Sequence, residues 1–561
     1  MNWLADTLRR YPEVAVFLMI GLGALIGKLK LGSVSLGTVT GSLFAGLLIG
    51  QLNIPVAGTA KAILYLLFLL GNGYSIGPQF FRSLRGEGTR YLFLATFQSV
   101  AGLAGAVIMA HVLHLDAGMA AGLLSGALTQ SPAIGTAGET IAALPLPQAE
   151  RDLLTAHVAI ADALTYMFGT AGVIWFLSLV APRLLRINLK TEAKKLELDL
   201  HIDRVAPGLL STHTVFTMRA HRVENAAIAG RSLGEFERSY PGARFYVEQL
   251  RRGSKILEGG EDAVLAAGDV LALSGRRAAV MEAGKAVGEE VDDRELLDMP
   301  GIVRTFTVSK PAIIGKALEE IAQWREARGV YLRKVRRLGQ EIPILPGTTL
   351  NRGDEVELVG AERAIQRFSD MVGEAHRVDA ATDLAAIGIA IFCGGLIGAP
   401  FLVMHGFRLS LGTAVGCLVV GIVLGWLHSV RPTFGRIPEA ASSLMISLGL
   451  AAFVGMNGMQ AGSHFVSAFK AQGVSLLLGG VAVTIFPLLC AIFFGRYVLK
   501  LNPILLLGAC AGAQTVTAAM AELQEKSGSR TPVLGYTVPY AIGNILLTIW
   551  GSVIVTLLSP R

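Results

Sequence analysis

The sequence predicts a polytopic α-helical membrane protein of two inverted repeats, each with about five spanning helices plus a re-entrant hairpin, and an inserted cytoplasmic α+β region. The 561 residues have a mean hydropathy of +0.54 and are only 16% charged, whereas soluble proteins carry about a quarter. Residues 191–376 hold 27 Lys/Arg and 29 Asp/Glu, while the flanking residues 1–190 and 377–561 together hold 22 and 13. Each apolar flank contains six hydrophobic stretches.

The two flanks are interpreted as a first membrane repeat, residues 1–190, and a second membrane repeat, residues 380–561. A helix needs about 20 apolar residues to span a bilayer. In the first repeat, such stretches lie near residues 13–30, 34–51, 58–78, 91–113, 117–143 and 155–181. In the second repeat, they lie near residues 384–403, 409–427, 440–460, 473–495, 502–523 and 533–558. This composition excludes a wholly soluble enzyme, a fibrous protein and a disordered chain.

The fifth stretch of each repeat is rich in Gly and Ala and is interrupted by small polar residues. The first interruption reads Thr129-Gln130-Ser131-Pro132, and the second contains Gln514-Thr515 and Thr517. Proline and glycine weaken helices, and two arms of about ten residues each would reach roughly 15 Å, half of the hydrocarbon thickness. We therefore predict two re-entrant hairpins with polar tips near the membrane centre. A kinked spanning helix is the alternative.

Four short matches between the repeats indicate an internal duplication. The segment from Asn72 to Phe80 aligns without gaps to the segment from Asn457 to Phe465, and Ser35-Leu36-Gly37-Thr38 matches Ser410-Leu411-Gly412-Thr413. Gln130-Ser131 matches Gln514-Thr515, and counting back from Gly169 and Gly551 places Asp162 opposite Asn544. An odd number of spans per repeat means that the repeats insert with opposite orientations. Inverted repeats with broken elements at the midplane are typical of secondary transporters.

The charge of the loops predicts the orientation of the chain. With the amino terminus outside, the loops predicted inside hold fifteen Lys/Arg residues and those outside hold seven. Cytoplasmic loops carry such an excess of positive charge. We therefore predict a multi-pass protein of the bacterial inner membrane, with a periplasmic amino terminus and with residues 191–380 in the cytoplasm. Because topology accounts for the positive charge, nucleic acid is not expected as a partner.

The charged insert contains a second repeat, of about 85 residues. Gly230-Arg231-Ser232-Leu233 corresponds to Gly315-Lys316-Ala317-Leu318, Phe245-Tyr246-Val247 to Val330-Tyr331-Leu332, and Gly268-Asp269 to Gly353-Asp354. Over residues 205–290 and 298–375, this pattern of strands, a short helix and a tight turn resembles the RCK C-terminal (TrkA C-terminal) domain of potassium-conductance regulators. The resemblance implies a module that senses a small molecule or nucleotide and pairs with a second copy. No Gly-rich phosphate loop in a βαβ context accompanies it.

Two hydrophobic halves with broken polar motifs around two such domains are a distinctive combination. With Asn72-Gly73-Tyr74-Ser75-Ile76-Gly77-Pro78-Gln79-Phe80 and Thr129-Gln130-Ser131-Pro132-Ala133, the whole chain resembles the aspartate:alanine exchanger family of bacterial transporters. The resemblance implies secondary transport of small carboxylates, but it does not fix the substrate because the family is heterogeneous. The second tip lacks the proline of the first, so the two tips are only approximately equivalent.

The candidate substrate ligands are the polar residues of the two tips and of the elements matched around them. Hydroxyls and amides donate hydrogen bonds to a carboxylate at low desolvation cost, and the amides of broken helices add oriented dipoles. The predicted substrate-binding residues are Thr129, Gln130, Ser131, Pro132, Gln514, Thr515, Thr517, Asn72, Asn457, Asp162 and Asn544. Packing between helices is the alternative role for small polar residues.

Charged residues inside the apolar stretches are few. Asp162 is an intramembrane carboxylate, and we expect it to bind a substrate ammonium group or a coupling proton. No Lys or Arg lies deep in a predicted span. The charge of a carboxylate substrate is therefore met by helix dipoles, by backbone amides or by a co-transported cation, or else Arg82, Lys61 or Lys470 reaches inward by snorkelling.

We expect an antiporter that exchanges small amino acids or dicarboxylates, of the aspartate/alanine or succinate class, by alternating access. The alternatives are an ion channel gated by the RCK-like domains and a cation antiporter. The sequence contains neither a TVGYG-like filter nor a nucleophile–base pair, so an enzyme is not expected, and neither is a cofactor or a metal. The expected partners are the substrate, the lipid bilayer and a second copy of the chain. The small-xxx-small pairs serve either dimerisation or internal packing; they are Gly23…Gly27, Gly46…Gly50 and Gly421…Gly425.

Overall fold

The structure, a computed structural model, describes residues 2–31, 34–35, 37–83, 88–199, 216–240, 245–298, 301–337, 340–375, 382–399, 401–404, 407–410, 412–431 and 434–559. The chain divides into two compact units. The helical unit contains residues 1–196 and 378–561, and the sheet unit contains residues 197–377. Residues 205–215 of the predicted first RCK-like domain lie outside the described residues.

The elements follow one another in three groups along the chain. The first group is α1 (Asn2–Arg10), α2 (Pro12–Gly27), β1 (Lys30–Leu31), β2 (Val34–Ser35), α3 (Thr38–Gly50), α4 (Gly58–Ser83), α5 (Gly88–Val112), α6 (Ala117–Ala127), α7 (Pro132–Ala142), α8 (Gln148–Trp175), α9 (Ala181–Leu184) and α10 (Leu189–Asp199). The second group is β3 (Phe216–Arg222), α11 (Leu233–Arg238), β4 (Phe245–Arg252), β5 (Lys255–Glu258), β6 (Val270–Arg276), α12 (Arg277–Val287), α13 (Arg294–Leu297), β7 (Gly301–Val308), α14 (Leu318–Ile321), β8 (Val330–Arg337), β9 (Gln340–Ile342), β10 (Glu355–Ala361), α15 (Glu362–Val372) and β11 (Gly373–Ala375). The third group is α16 (Leu384–Gly398), β12 (Phe401–Met404), β13 (Phe407–Ser410), α17 (Gly412–Val430), α18 (Glu439–Phe493), α19 (Pro503–Ala513), α20 (Thr517–Ser527) and α21 (Val533–Leu558).

The helical unit has the length and hydropathy of a polytopic membrane protein. Among the described residues, six helices are long and apolar enough to cross a membrane, and the pair α1–α2, bent by 110°, makes a seventh if it is one span. Two stretches expected to span are shorter, because α3 has 13 residues and α16 has 15. One two-stranded ribbon precedes α3 along the chain, and another follows α16. Gly37 and Gly412, with φ of 79° and 75°, lie at the start of α3 and of α17. Glycine tolerates this left-handed backbone.

Helix α18 corrects one expectation. The sequence predicts two stretches, near residues 440–460 and 473–495, but the structure has one helix of 55 residues. The intervening residues 461–472 contain no proline, and a single glycine there does not end a helix. At 1.5 Å per residue the helix is roughly 80 Å long, more than twice the thickness of a hydrocarbon core.

Glycines stand at the closest contacts between helices of this unit. Gly46 and Gly50 lie against α18, whereas Gly421 and Gly425 lie against α4. Gly23 lies against α3, and Gly27 lies against the residues that begin α3. A side chain at any of these six positions would overlap neighbouring atoms, most of them backbone. The three small-xxx-small pairs that the sequence offered for dimerisation are thus used for packing inside one chain.

The sheet unit contains a first module, residues 216–298, and a second module, residues 301–375. The strand order is β3-β6-β4-β5 in the first and β11-β7-β10-β8-β9 in the second. Strands β3 to β6 and helices α11 and α12 each begin 85 residues before their counterparts in the second module, as Phe245 and Val330 illustrate. The aspartate of each Gly-Asp motif forms an ion pair with an arginine of the same module. The pairs are Arg252–Asp269, at 2.7 Å, and Arg337–Asp354, at 2.6 Å.

A buried ion pair joins the two modules. The Arg328 guanidinium of the second module donates to both carboxylate oxygens of Glu237 in the first, at 2.5 and 3.0 Å, and to the carbonyl of Gly259 at 2.6 Å. It also lies over the ring of Tyr246, 5.7 Å from the centroid. The side chains of Arg328 and Glu237 are only 14% and 9% exposed. Burial raises the pKa of Glu237, although the hydrogen bonds from Arg328 act in the opposite direction.

Candidate functional site

The helices α6 and α7 form an antiparallel hairpin at the break in the fifth stretch of the first repeat. Asp116, just before α6, lies 2.6 Å from a ring nitrogen of His157 near the start of α8. Arg151, in the first turn of α8, donates to the carbonyl of Ala142, the last residue of α7, at 3.0 Å. The outer ends of both arms therefore lie beside the start of α8, which a single kinked helix could not achieve.

The helices α19 and α20 form a second hairpin, which opens at the other end of α8. Lys526, at the end of α20, donates to Ser178 at 3.2 Å, just beyond the end of α8. Gly535, at the start of α21, lies against Leu505, at the start of α19. The far end of α21 lies on the first hairpin, where Gly551 packs against α7. The two hairpins thus open toward opposite ends of α8 and α21 and direct their tips at each other.

The two tips meet through reciprocal hydrogen bonds. Thr129 and Thr515 both have left-handed backbones, with φ of 56° and 59°, a conformation that threonine rarely adopts. The Thr129 hydroxyl donates to the carbonyl of Gln514 at 2.6 Å. The Thr515 hydroxyl donates to Oε1 of Gln130 at 3.1 Å. The threonine of each tip therefore bonds to the glutamine of the other.

A chain of buried amides and hydroxyls extends from the tips into α21 and α4. Nε2 of Gln130 donates to the Thr548 hydroxyl at 2.9 Å and to the Asn544 carbonyl at 3.3 Å. Nδ2 of Asn72 donates to Oδ1 of Asn544 at 3.3 Å. All four side chains are buried. The structure therefore brings Asn72 and Asn544, which the sequence placed on separate elements, together with the first tip.

Asp162 lies beside the first arm of the first hairpin, not at its tip. Its Oδ1 accepts a hydrogen bond from the Ser125 hydroxyl at 2.6 Å, and both side chains are fully buried. Within the described residues, three buried side-chain oxygens around the tips have no hydrogen-bond partner: Asp162 Oδ2, Ser131 Oγ and Gln514 Oε1. Such atoms are uncommon in native proteins.

Lys61 of α4 lies one turn before the residue of that helix that contacts the first tip. The Lys61 ammonium donates to Oε1 of Gln460 at 2.6 Å and to Oδ1 of Asn457 at 3.2 Å. One turn further along α4, the Tyr65 hydroxyl donates to the carbonyl of Pro132 at 2.6 Å. The described residues place no carboxylate within ion-pair distance of Lys61. The hydrogen bonds of this partly buried cation go to two neutral amide oxygens, and the Asp152 carboxylate attracts it from a longer distance.

The remaining sequence-predicted residues are more dispersed. Pro132 is the first residue of α7, where its missing N–H costs no hydrogen bond. Thr517 is exposed, and its hydroxyl lies 3.0 Å from that of Tyr536. Asn457 contacts Lys61 and, within the part of the chain that the structure describes, makes no hydrogen bond to the tips. The structure therefore gathers the tips with Asn72 and Asn544, and leaves Thr517 and Asn457 outside that network.

Several residues of the site were not among the predicted ligands. Thr548 lies one turn after Asn544 and Ser125 one turn before Thr129, so helical spacing from a chosen residue would have found both. Thr484 of α18 accepts from Nε2 of Gln514 through its carbonyl, and no sequence signal marks it. Lys61 was considered only as a snorkelling side chain, and its partners were not foreseen.

Two glycines of α7 provide a matched test of the hairpin packing. A methyl group at Gly135 would overlap the ring of Tyr65, whereas one at Gly138 would meet nothing. Alanine is favoured over glycine inside a helix by up to about 1 kcal/mol, but overpacking costs about 1–3 kcal/mol. We expect Gly135→Ala to unfold at a lower temperature than the wild type and Gly138→Ala to match or exceed it. Equal unfolding temperatures for the two variants in the same detergent would contradict the packing.

No cluster of three or more His, Cys, Asp or Glu suited to a metal ion occurs within the described ranges.

A sequence family described as a predicted permease membrane region matches residues 15–182 and 386–556. An uncharacterized transporter of Bradyrhizobium diazoefficiens is 43% identical over 91% of this chain and 100% of its own length. Uncharacterized transporters of Bordetella bronchiseptica and Shewanella oneidensis are 42% and 36% identical, over 98% and 100% of both chains. No solved structure matches.

Proposed function

The chain belongs to the aspartate:alanine exchanger family of predicted permeases, and from this premise we propose that it is a secondary active antiporter of small amino acids or dicarboxylates. The substrates proposed are of the aspartate/alanine or succinate class. The observation that carries the proposal is the reciprocal bonding of the tips, Thr129 to Gln514 and Thr515 to Gln130. Broken elements that meet in this way form central substrate sites in secondary transporters.

The proposed substrate site lies between the two tips. The hydroxyls of Thr129 and Thr515 donate to protein oxygens, and a carboxylate placed between them offers stronger acceptors for the same donors. Ser131 and Gln514 each supply a buried polar atom without a partner among the described residues. We propose that substrate binding replaces the tip-to-tip hydrogen bonds, so that the tips separate only when a substrate takes over their donors.

Alternating access follows from the opposed hairpins. The two hairpins open toward opposite ends of α8, and their tips bond to each other. We propose that the two repeats are inverted in the membrane and that one hairpin releases the substrate toward each side. A transporter that stays closed when its site is empty exchanges one substrate for another, because only the loaded forms interconvert.

The cellular setting forms part of the same proposal. We place the protein in the bacterial inner membrane with a periplasmic amino terminus and with residues 191–380 in the cytoplasm, on the distribution of positive charge. The two modules of the sheet unit are proposed to be RCK-like regulatory domains, supported by their shared strand order. A homodimer is proposed as the working assembly, and the packing of the glycine pairs within the chain lends it no support.

Counterflow in proteoliposomes tests the antiport proposal. Vesicles are loaded in turn with L-aspartate, L-alanine or succinate, and the uptake of labelled L-aspartate and labelled succinate is followed from outside. We expect uptake only when an exchangeable solute is inside, and the best internal solute names the substrate pair. The absence of flux for every carboxylate would overturn the proposal and favour an ion channel gated by the sheet unit.

Asp162 favours a second candidate function, ion-coupled transport. Its Oδ2 is buried and has no partner among the described residues, so it can bind a proton or another small cation. In that case uptake ignores the internal solute and follows an imposed pH or sodium gradient. The variant Asp162→Asn keeps an acceptor for Ser125 but removes the charge. Loss of the gradient response with retained exchange would identify Asp162 as the coupling site.

We expect the Lys61 ammonium to bind the negative charge of the substrate. A charged hydrogen bond contributes about 1.5–3 kcal/mol, so Lys61→Met should raise the KM for a dicarboxylate about tenfold or more. Lys470 is exposed in the middle of α18, and Lys470→Met is the matched control with an unchanged KM. Initial rates of exchange across substrate concentrations provide the measurement. An unchanged KM in Lys61→Met would contradict this prediction. It would mean that Lys61 bonds only to the side-chain amides of Asn457 and Gln460 and does not contact the substrate.

A further inference from the structure

The second module of the sheet unit encloses a cavity within its own core. The cavity has a volume of about 170 Å³ and is lined by apolar residues of the sheet and of helices α14 and α15, including Ile321, Val330, Leu358 and Phe368. None of its lining residues carries a charge. Ile344, which also lines it, is 42% exposed, so one wall adjoins the surface.

The first module has the same strand order, but its core is filled by aromatic rings. Phe236 and Phe245 meet edge to face with centroids 5.4 Å apart, and Tyr240 packs on both at 5.9 and 5.6 Å. The residues 85 positions later in the second module are, in the same order along the chain, Ile321, Arg325 and Val330. The side chain of Arg325 is 73% exposed and does not fill the core. The second module therefore lacks these three rings, and Phe368, which stands where the first module has Ala283, replaces only one of them.

We propose that the second module binds a small uncharged aromatic molecule, of one ring or two fused rings, in this cavity. An apolar cavity of about 150 Å³ stays dry and accepts benzene, so a slightly larger one accommodates a ring of this class. An uncharged ligand is required because a charge buried among apolar side chains is strongly disfavoured. The first module does not bind such a ligand, since Phe236 and Phe245 already occupy the equivalent space.

The ligand acts on the contact between the modules. Tyr331 lines the cavity, and its hydroxyl donates to the carbonyl of Ser274 in the first module at 3.2 Å. Arg328, three residues earlier, carries the buried pair with Glu237. A ring bound against Tyr331 therefore stabilises strand β8, which supplies the Tyr331 contact and begins two residues after Arg328. This site is independent of the substrate site between the hairpins, so each proposal can fail without the other.

Binding of indole and of fluorobenzene to the full-length protein in detergent tests the proposal. The variant Val330→Phe restores the residue found in the first module and should fill the cavity. We expect the wild type to bind and the apparent Kd of Val330→Phe to be at least tenfold higher. Subtracting the signal of the filled variant in the same detergent removes partitioning of the probe into micelles.

Two further variants keep the test decisive if Val330→Phe does not fold. Ile321→Phe fills the same cavity from helix α14 and should also weaken binding. Phe245→Val removes one of the rings that fill the equivalent space of the first module and should create a second, weaker site. No binding of either probe at millimolar concentration overturns the proposal. Binding that persists unchanged in both filled variants overturns it as well, since the probe then lies elsewhere.

Discussion

The variant Gln130→Leu is expected to lose exchange by about tenfold to a hundredfold while the protein remains folded. Gln130 accepts from Thr515 of the opposite tip and donates to Thr548 and to the carbonyl of Asn544. Leucine is similar in size but leaves the Thr515 hydroxyl without its acceptor. Thr515 is half-buried and Thr548 is fully buried, so the loss of both hydrogen bonds costs about 1–3 kcal/mol, and each 1.4 kcal/mol is a factor of ten. The initial rate of counterflow measures the loss.

Gln148→Leu is the matched control, because Gln148 is exposed at the start of α8 and bonds only with neighbouring side chains of its own helix. It should exchange at the rate of the wild type. The variant Gln130→Glu separates a role in hydrogen bonding from a role in packing. Its carboxylate keeps an acceptor for Thr515 but repels an anionic substrate, so KM should rise more than in Gln130→Leu. If Gln130→Leu exchanges at the rate of the wild type, the reciprocal hydrogen bonds between the tips are not the basis of the mechanism.

The variant Arg328→Met is expected to destabilise the sheet unit by about 3–5 kcal/mol. Methionine can fill much of the space, but Glu237 then remains buried without its cation, and the Gly259 carbonyl loses its donor. For a unit of this size the loss corresponds to a drop of roughly 10 °C in its unfolding temperature. Thermal unfolding of the full-length protein, followed by hydrogen exchange of the sheet strands, measures the change.

Arg325→Met is the control for Arg328→Met, because it removes the same type of side chain three residues away. Arg325 pairs with Asp262 at 3.8 Å, with exposed fractions of 73% and 98%, and such surface pairs contribute little. The double variant Arg328→Met with Glu237→Gln should recover much of the lost stability, since no uncompensated charge remains. Equal stability of the two single variants would show that the buried pair does not hold the modules together.

The hairpins illustrate what the sequence could predict. Small residues and a broken polar motif in the sequence indicated both interruptions. In the structure, Thr129 and Thr515 have left-handed backbones at these two places, where a helix cannot continue. The match paired Asp162 with Asn544, and the structure buries both, yet their bonds differ, since Asn544 contacts Asn72 and Asp162 contacts Ser125. Sequence pattern marks a position on a helix, whereas the partner across the space depends on how the helices pack.

Other features were beyond sequence reasoning for identifiable reasons. The continuous helix α18 was missed because hydropathy falls between residues 461 and 472 without any residue that terminates a helix. The contact of Lys61 with Asn457 joins residues far apart in sequence, so no local spacing indicates it. The cavity of the second module could not be predicted from the sequence alone. It becomes evident only when the two modules are aligned at an offset of 85 residues and the first core is seen to be filled by aromatic rings.

The length of α18 has a mechanical consequence. Gly455 and Gly458, in its first half, pack against α2 or α3, whereas Thr484, in its second half, donates to the carbonyl of Ala127 at the end of α6. One rod is therefore anchored at one end in the glycine-packed helices and at the other in the first hairpin. Between Gly455 and Thr484 the helix is roughly 44 Å long, so a tilt of about 3° would move the second contact by roughly 2 Å. A small rotation of α18 at its first contact would therefore displace the first hairpin by a distance comparable to the size of a carboxylate group.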